Sequence, residues 1–345
     1  MTSSPKTAVL LLAHGTPNAL GEMSDYLSRV TGGRAMPAEV IEELQHRYAQ
    51  IGLGETAAAE PPPLTHWTFA QRDALRRALA AAGTPLPVYA AMRNWHPYIA
   101  EVVAEMRADG IERIIAICLA PQNSRTSIGL YKRALFSVAE GLNVQFVETW
   151  SEEPKLIEAF AEKLKATYAQ ACDDAGAMLP ILFTAHSVPC RTIMTGEASV
   201  AGARPGTQPQ TTPDPYPVEA KRTAALAFAA LIAATHPQLS ELNLAGAPCW
   251  FFAFQSQGVA GGPWIGPTVE ETLGGIQREG HKGVVLQPIG FLCDHVEILY
   301  DIDIAFTQTA SQLGLRLWRP QSLNDSPLLT AALVEVVGRR LAAEN

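Results

Sequence analysis

Residues 7–13 read Thr-Ala-Val-Leu-Leu-Leu-Ala and are followed by His14 and a turn at Gly15, Thr16 and Pro17. An apolar run without alternation is typical of a strand in a parallel sheet that helices cover on both faces. Further short apolar runs predict seven more strands, at Pro87–Ala91, Arg113–Leu119, Gln145–Thr149, Pro180–Ala185, Ala247–Phe254, Gly283–Pro288 and Leu315–Trp318.

Longer segments with helical periodicity separate these runs. The last of them has a clear start signal, because Ser326 stands at the N-cap position and Pro327 at the first helical position. The alternation of strands and helices predicts the α/β class with right-handed crossovers. The predicted helices are Trp67–Ala82, Ile99–Asp109, Pro154–Gln170, Val218–Ala234 and Pro327–Leu341.

The length of 345 residues favours two lobes, because single cores stop growing at about 250–300 residues. We expect one lobe at residues 1–150, joined by the closing helix at 320–345, and a second lobe at 151–319. Two segments rich in Gly, Pro, Ala and Thr, Gly54–Pro63 and Arg191–Pro217, are interpreted as loops.

Composition excludes several classes of function. The net charge of −8, without a basic run, argues against a nucleic-acid partner, and no stretch approaches the ~18–20 apolar residues of a membrane span. The first 17 residues do not match a secretory signal. The five cysteines form no CxxC pair, and Cys118 and Cys249 lie in apolar runs, which predicts core positions in a reducing compartment. The expected location is the cytoplasm.

In open α/β sheets, ligands bind beyond the carboxyl ends of the strands. His186 follows the predicted strand Pro180–Ala185 directly, in Thr-Ala-His-Ser-Val-Pro. A histidine there either takes a proton near neutral pH or holds a metal, or it anchors the strand end through a hydrogen bond. Position alone favours neither reading.

Glu297 lies in Asp-His-Val-Glu-Ile-Leu-Tyr-Asp, with Asp294 as the expected N-cap of a helix. At about 100° per residue, Asp294, Glu297 and Asp301 fall within about a sixth of a turn of one another. Neighbouring carboxylates in such a row repel each other by roughly a few tenths of a kcal/mol per pair. Taken alone, the row predicts a helix face exposed to solvent. The alternative is a cleft that passes cations or protons.

The segment Gln255–Pro267 is a glycine-rich loop with one aromatic side chain, Trp264. It is either a long turn or the wall of a pocket for a flat ligand. It lacks the lysine of a phosphate loop, and no G-x-G-x-x-G follows the first strand, so no nucleotide cofactor is expected.

These motifs together resemble the signature of ferrochelatases, in the right order from about residue 7 to 341. They are Gly-Thr-Pro after the first strand, Arg47-Tyr-x-x-Ile-Gly, His96-Pro, Leu119-Ala-Pro-Gln, Thr184-Ala-His-Ser-Val-Pro, Asp214-Pro-Tyr-Pro, Gln255-Ser, Gly262-Pro-Trp-Ile-Gly-Pro, Pro288-Ile-Gly-Phe and Asp294-His-Val-Glu-Ile-Leu-Tyr-Asp. The resemblance implies two Rossmann-like lobes of the chelatase type, with a porphyrin cleft between them. It implies Fe²⁺ as a substrate, and His186 and Glu297 as catalytic residues.

The resemblance also guides the remaining site predictions. We expect metal contacts from His186, Glu297 and His14. Substrate contacts are expected from His14, Ser187, Gln255, Trp264, Asp294, Tyr300, Asp301 and Arg125. His14 departs from the tyrosine, asparagine or methionine of many ferrochelatases, and a hydrogen bond to backbone is its equally favoured alternative. Ala305 stands where some relatives extend the acidic row, and the sequence lacks the cysteine-bearing tail that holds a [2Fe–2S] cluster in some members, so no cluster is expected.

Alternatives to this interpretation remain open. One is a chelatase that inserts another divalent metal into a related tetrapyrrole, and another is a porphyrin or haem carrier without turnover. The porphyrin is protoporphyrin IX or coproporphyrin III, and the two extra propionates of the latter would need cationic partners. The candidate cations for these propionates are Arg29, Arg34, Arg125 and Lys132.

Whether His186 holds metal or accepts protons stays open too. We expect the protein to be a monomer or a weak oligomer.

Overall fold

The computed structural model describes residues 6–193, 213–235, 248–258 and 262–343. The chain divides into two compact units. Of the described residues, 6–150 and 324–343 form the first unit, and those from 151 to 323 form the second. None of the helices in the described ranges combines the length and apolar character that a bilayer span requires.

The first unit is built on a parallel sheet of four strands in the order β2-β1-β3-β4. Its strands are β1 Thr7–Ala13, β2 Val88–Met92, β3 Arg113–Cys118 and β4 Asn143–Val147. Its helices are α1 Met23–Val30, α2 Ala38–Gln50, α3 Pro63–Ala81, α4 Ile99–Ala108, α5 Ile128–Phe136 and α12 Pro327–Ala342, with a 3-10 turn at Leu20–Glu22. The run that opens the chain is buried from Ala8 to Ala13, as expected of a central strand.

Two side-chain contacts attach α12 and the residues just before it to the rest of this unit. The Gln71 amide of α3 donates to the Asn324 carbonyl oxygen at 2.7 Å, and the Arg113 guanidinium donates to the Arg340 carbonyl oxygen at 3.1 Å. Ser326 stands at the N-cap position of α12, as predicted, but its side chain makes no capping hydrogen bond. Pro327, at the first helical position, has no N–H that would need a cap.

The second unit repeats the plan with the strand order β6-β5-β7-β8, all parallel. Its strands are β5 Ile181–His186, β6 Trp250–Gln255, β7 Gly283–Pro288 and β8 Arg316–Trp318. Its helices are α6 Pro154–Ala175, α7 Cys190–Ile193, α8 Tyr216–Thr235, α9 Val269–Arg278, α10 Val296–Leu299 and α11 Thr307–Gln312, with a π-helix at Asp301–Phe306. One core of this unit packs Leu182, Leu286 and Ile298 between the sheet and the helices that follow β6 and β7.

The predicted α/β class with two parallel sheets is confirmed, and all eight predicted strands are present within a few residues of their expected bounds. Two predictions were wrong in detail. Cys249 is exposed rather than in the core, because it precedes β6 instead of lying inside it, whereas Cys118 is buried in β3. The predicted loop Arg191–Pro217 is partly helical, since α7 ends at Ile193 and α8 begins at Tyr216. Residues 194–212 of that loop lie outside the described residues.

Gly15 is required where β1 ends. Its φ is +88°, and a Cβ there would lie 2.8 Å from the backbone nitrogen of Trp95. The loop after β2 runs this close because the Asn94 N–H donates to the His14 carbonyl oxygen at 3.0 Å. Gly110 has a similar φ of +72°, but a Cβ added there would have no atom within 4 Å.

Gly15→Ala and Gly110→Ala should therefore separate steric clash from backbone strain. Both place alanine in the left-handed region, at about 1–2 kcal/mol. Gly15→Ala adds an overlap with backbone that should cost a further ~1–3 kcal/mol in the free energy of unfolding. Denaturant unfolding measures both variants, and equal losses would show that the close approach to Trp95 carries no energetic weight.

Candidate active site

The parallel register brings three strand ends together in the second unit. His186 is the last residue of β5, and it is paired in register with Gln255, the last residue of β6. Beyond β7, Gly290 passes so close to β5 that a Cβ on it would lie 3.1 Å from Cβ of Ala185. The segment after Gly290 is thereby directed over the end of β5, and it carries Glu297 in α10.

His186 and Glu297 form an ion pair. The Nε2 atom of His186 lies 3.4 Å from Oε1 of Glu297, and both side chains keep about a third of their surface exposed. On the other side of the ring, Nδ1 hydrogen bonds to the carbonyl oxygen of Ser187. A carbonyl and a carboxylate only accept hydrogen bonds. The doubly protonated imidazolium is therefore the ring form that satisfies both contacts.

The electrostatics of the pair agree with this geometry. Burial lowers the pKa of His186, but the Glu297 carboxylate and the Ser187 carbonyl outweigh it, and the pKa lies above the ordinary value of 6.5. Burial raises the pKa of Glu297, and the two histidines beside it reverse that effect and hold the pKa well below its usual range. Each partner stabilises the charged form of the other.

His295 faces the second oxygen of Glu297, with 3.7 Å between Nε2 and Oε2. Its ring packs on Phe291 with 4.7 Å between centroids, and its buried Nδ1 has no hydrogen-bond partner among the described residues. His295 was not among the residues predicted for the site. Its position could have indicated a role, because it lies two residues before Glu297 inside the Asp294-His-Val-Glu motif.

The backbone and the neighbours of Glu297 are fixed from β6. The buried Gln255 amide donates to the Glu297 carbonyl oxygen at 2.9 Å. The next residue, Ser256, adopts a left-handed backbone with φ of 60° and donates its hydroxyl to Oδ2 of the buried Asp301. Two side chains at the end of β6 therefore hold the backbone of Glu297 and the carboxylate of Asp301 in place.

The predicted row of carboxylates on a regular helix was wrong. Asp294 is not the N-cap, because α10 begins after His295, and it accepts instead from the Ser322 hydroxyl at 2.7 Å. A π-helix follows α10, so the spacing of the row departs from 3.6 residues per turn. The row is also not a solvated face, since Asp301 is buried.

The loop after β6 is attached to the segment after β5. Trp264 forms an isolated antiparallel bridge with Pro189, and its ring centroid lies 6.5 Å from that of His186. Ser187, predicted to contact substrate, is fully buried and donates to the Ile265 carbonyl oxygen at 2.8 Å. That contact gives Ser187 a structural role in holding the loop.

Tyr216 supports the end of β5, since its hydroxyl donates to the His186 carbonyl oxygen at 2.9 Å. Its own backbone N–H is capped by Asp214 at 3.0 Å. Both residues belong to the Asp-Pro-Tyr-Pro motif, whose role the sequence alone did not predict.

His14 lies in the first unit, half-buried after β1. Its Nε2 accepts from the Asn94 amide at 2.9 Å, and its Nδ1 lies 3.2 Å from both the Tyr26 hydroxyl and the Gly15 carbonyl oxygen. Binding a metal through His14 requires one of these hydrogen bonds to break. The predicted metal role of His14 stays a prediction.

The other predicted contacts are placed as follows. Arg125 is half-buried between β3 and α5, and Tyr300 is half-buried just after α10. Of the candidate cations, Arg29 lies over the Tyr98 ring at 4.3 Å, Arg34 donates to the Thr31 carbonyl oxygen, and Lys132 pairs with Glu148. Within the described ranges, no group of three His, Cys, Asp or Glu side chains is arranged to hold a metal ion.

Comparisons of whole folds show similarity to several solved structures. SirB from Bacillus subtilis, solved with Fe³⁺, matches with a TM-score of 0.50 at 10% identity, over 97% of this chain and 95% of that one. DR2241 from Deinococcus radiodurans matches with a TM-score of 0.52 at 12% identity, over 96% of this chain and 55% of that one. At these identities the likeness concerns the fold alone.

Sequence comparisons go further. The family model described as ferrochelatase matches residues 6–341. A ferrochelatase from Acidobacterium capsulatum is 51% identical over 332 residues, which cover 96% of this chain and 93% of that protein. A coproporphyrin III ferrochelatase from Geobacillus thermodenitrificans is 30% identical, over 98% and 96% of the two chains. The chain thus belongs to the ferrochelatase family, the enzymes that insert iron into porphyrins.

Proposed function

We propose that this ferrochelatase uses the His186–Glu297 pair as the acceptor of pyrrole protons while Fe²⁺ enters the porphyrin. The observation that carries the proposal is the pair itself, in which both ring nitrogens of His186 face hydrogen-bond acceptors. When the ring is neutral, a bare Nε2 lone pair points at a carboxylate. A proton arriving at Nε2 relieves that repulsion, which makes the neutral ring a stronger base than an isolated buried histidine.

The step balances as follows. A pyrrole N–H bond breaks, its proton moves to Nε2 of His186, and the electron pair left on the pyrrole nitrogen binds Fe²⁺. Insertion of one Fe²⁺ displaces two such protons. Glu297 lies between His186 and His295, at 3.4 and 3.7 Å, and its carboxylate stabilises the imidazolium that forms. About a third of the His186 side chain is exposed, so His186 releases the first proton to water and then accepts the second one.

Two aromatic rings flank the proposed base. The centroids of Trp264 and Phe291 lie 6.5 and 6.4 Å from that of His186. Flat apolar rings at this distance suit a macrocycle, and packing against them favours the distortion that exposes the pyrrole nitrogens. We propose that Trp264 and Phe291 contact the porphyrin, with Tyr300 and Arg125 as further contacts.

Further properties belong to the same proposal. The porphyrin is protoporphyrin IX or coproporphyrin III, and the relative named for coproporphyrin III supports testing both. The enzyme works in the cytoplasm, as a monomer or weak oligomer, without a nucleotide or a [2Fe–2S] cluster. The cysteine spacing supports the last point, because cluster ligation uses closely spaced cysteines and this sequence has no CxxC pair.

His186→Ala and Glu297→Gln should each lower kcat/KM for Fe²⁺ insertion by about 10²–10⁴-fold, because general acid–base groups contribute that much. The assay follows loss of the free-base porphyrin spectrum under anaerobic conditions with each porphyrin. Glu279→Gln is the matched control, since Glu279 also lies beside a histidine, His281 at 3.9 Å. Full turnover in His186→Ala would refute the assigned role, and porphyrin binding without turnover in the native enzyme would identify a carrier.

The pKa of His186 supplies a second prediction. It should lie above 6.5 in the native protein and fall in Glu297→Gln, because burial then acts without the opposing carboxylate. Since a base works only when unprotonated, the rise of activity with pH should move to lower pH in that variant wherever turnover persists. NMR titration of the His186 ring carbon measures the shift directly, and an unchanged or higher pKa in Glu297→Gln would contradict the pairing.

A further inference from the structure

Arg319 follows β8 and is largely buried, with 14% of its side chain exposed. Its guanidinium binds Asp303 in bidentate fashion, with Nε 2.5 Å from Oδ1 and Nη2 2.7 Å from Oδ2. Its third nitrogen, Nη1, donates to the Pro320 carbonyl oxygen at 3.0 Å and lies 3.6 Å from Oδ1 of Asp294. One side chain therefore contacts carboxylates on two different turns.

The two carboxylates bracket the site. Asp294 stands three residues before Glu297, and Asp303 stands six residues after it. Ser322 strengthens the first link, because its hydroxyl donates to the same Asp294 oxygen at 2.7 Å. The chain beyond β8 thus ties together both ends of the segment from 294 to 303.

That segment needs an external tie. It contains the four-residue helix α10 and the first half of the π-helix Asp301–Phe306, in which the Ala305 N–H donates to the Tyr300 carbonyl oxygen five residues earlier. Short turns and π-helices have little stability of their own. Glu297 lies in this segment, and its 3.4 Å approach to His186 depends on where the segment sits.

We propose that Arg319 is a positioning residue that fixes the 294–303 segment and thereby holds the Glu297 carboxylate against His186. The assignment rests on the proposed function of that pair. Arg319 acts from a distance, through Asp294 and Asp303, and no contact with substrate is required of it.

The geometry requires the guanidinium and not merely a positive charge. A planar fork matches both oxygens of one carboxylate and still presents a third nitrogen to the other turn. A lysine ammonium is a point charge that reaches one of these partners at a time. Arg319→Lys keeps the charge and removes the simultaneous link, which makes it the informative variant.

Arg319→Lys should lower kcat by about tenfold to a hundredfold, as small misplacements of a reacting group do, while KM for porphyrin changes by less than about twofold. Amide hydrogen exchange should accelerate in residues 298–306 and stay unchanged in β5 and β7. Arg316→Lys is the matched control, because Arg316 pairs with Asp174 at 3.0 Å on the exposed side of β8. Native kcat, or unaltered exchange at 298–306, would overturn the proposal.

Two further variants keep the test decisive. If Arg319→Lys does not fold, Asp303→Asn removes the other half of the bidentate pair and should give the same local exchange pattern. In Arg319→Ala, millimolar guanidinium should restore turnover and protection, whereas methylammonium should not. Hydrogen exchange does not depend on catalysis, so the two proposals can fail separately. A fully active His186→Ala variant would overturn the proposed function. The exchange rates at 298–306 would still decide whether Arg319 fixes the segment.

Discussion

Three parallel strands of the second unit end at the same edge, and the site depends on that constraint. His186 and Gln255 are partners in register, although 69 positions separate them in sequence. Gly290 brings the chain after β7 against Ala185, where any larger residue would meet Cβ at 3.1 Å. Because sheet register is set by main-chain hydrogen bonds, the side chains at these ends are positioned before any ligand arrives.

Within that frame, pairing outweighs desolvation. Burial penalises the charged forms of both His186 and Glu297, and each pKa nevertheless moves toward the charged form. The cause is proximity, at 3.4 Å, reinforced by the Ser187 carbonyl behind the ring. Such a pair favours the protonated ring, which is the state that the proposed transfer of a pyrrole proton to His186 would produce.

The uniformly apolar runs predicted the sheets well, because burial on both faces leaves a direct mark on composition. They failed at Cys249, which lies just outside β6 and is exposed. Periodicity also failed after Glu297, since it assumes 3.6 residues per turn and the chain forms a π-helix there. The pairing of Arg319 with Asp303 could not be predicted from the sequence, because the contact depends on how the chain after β8 packs against the π-helix. His186 and Glu297 were identified through motifs, and not through spacing.

Three carboxylates close together in sequence, Glu297, Asp301 and Asp303, have different kinds of partner, and these partners offset the repulsion among them. Asp303 faces a guanidinium, which cannot release a proton near neutral pH. Asp301 accepts from the Ser256 hydroxyl, a neutral group. Glu297 instead faces histidines, whose ordinary pKa is close to neutrality. A fixed cation or a hydroxyl stabilises its carboxylate permanently, whereas a histidine exchanges its proton. Asp301 and Asp303 thus have partners that hold the segment, whereas Glu297 has the partners that our proposal assigns to proton transfer.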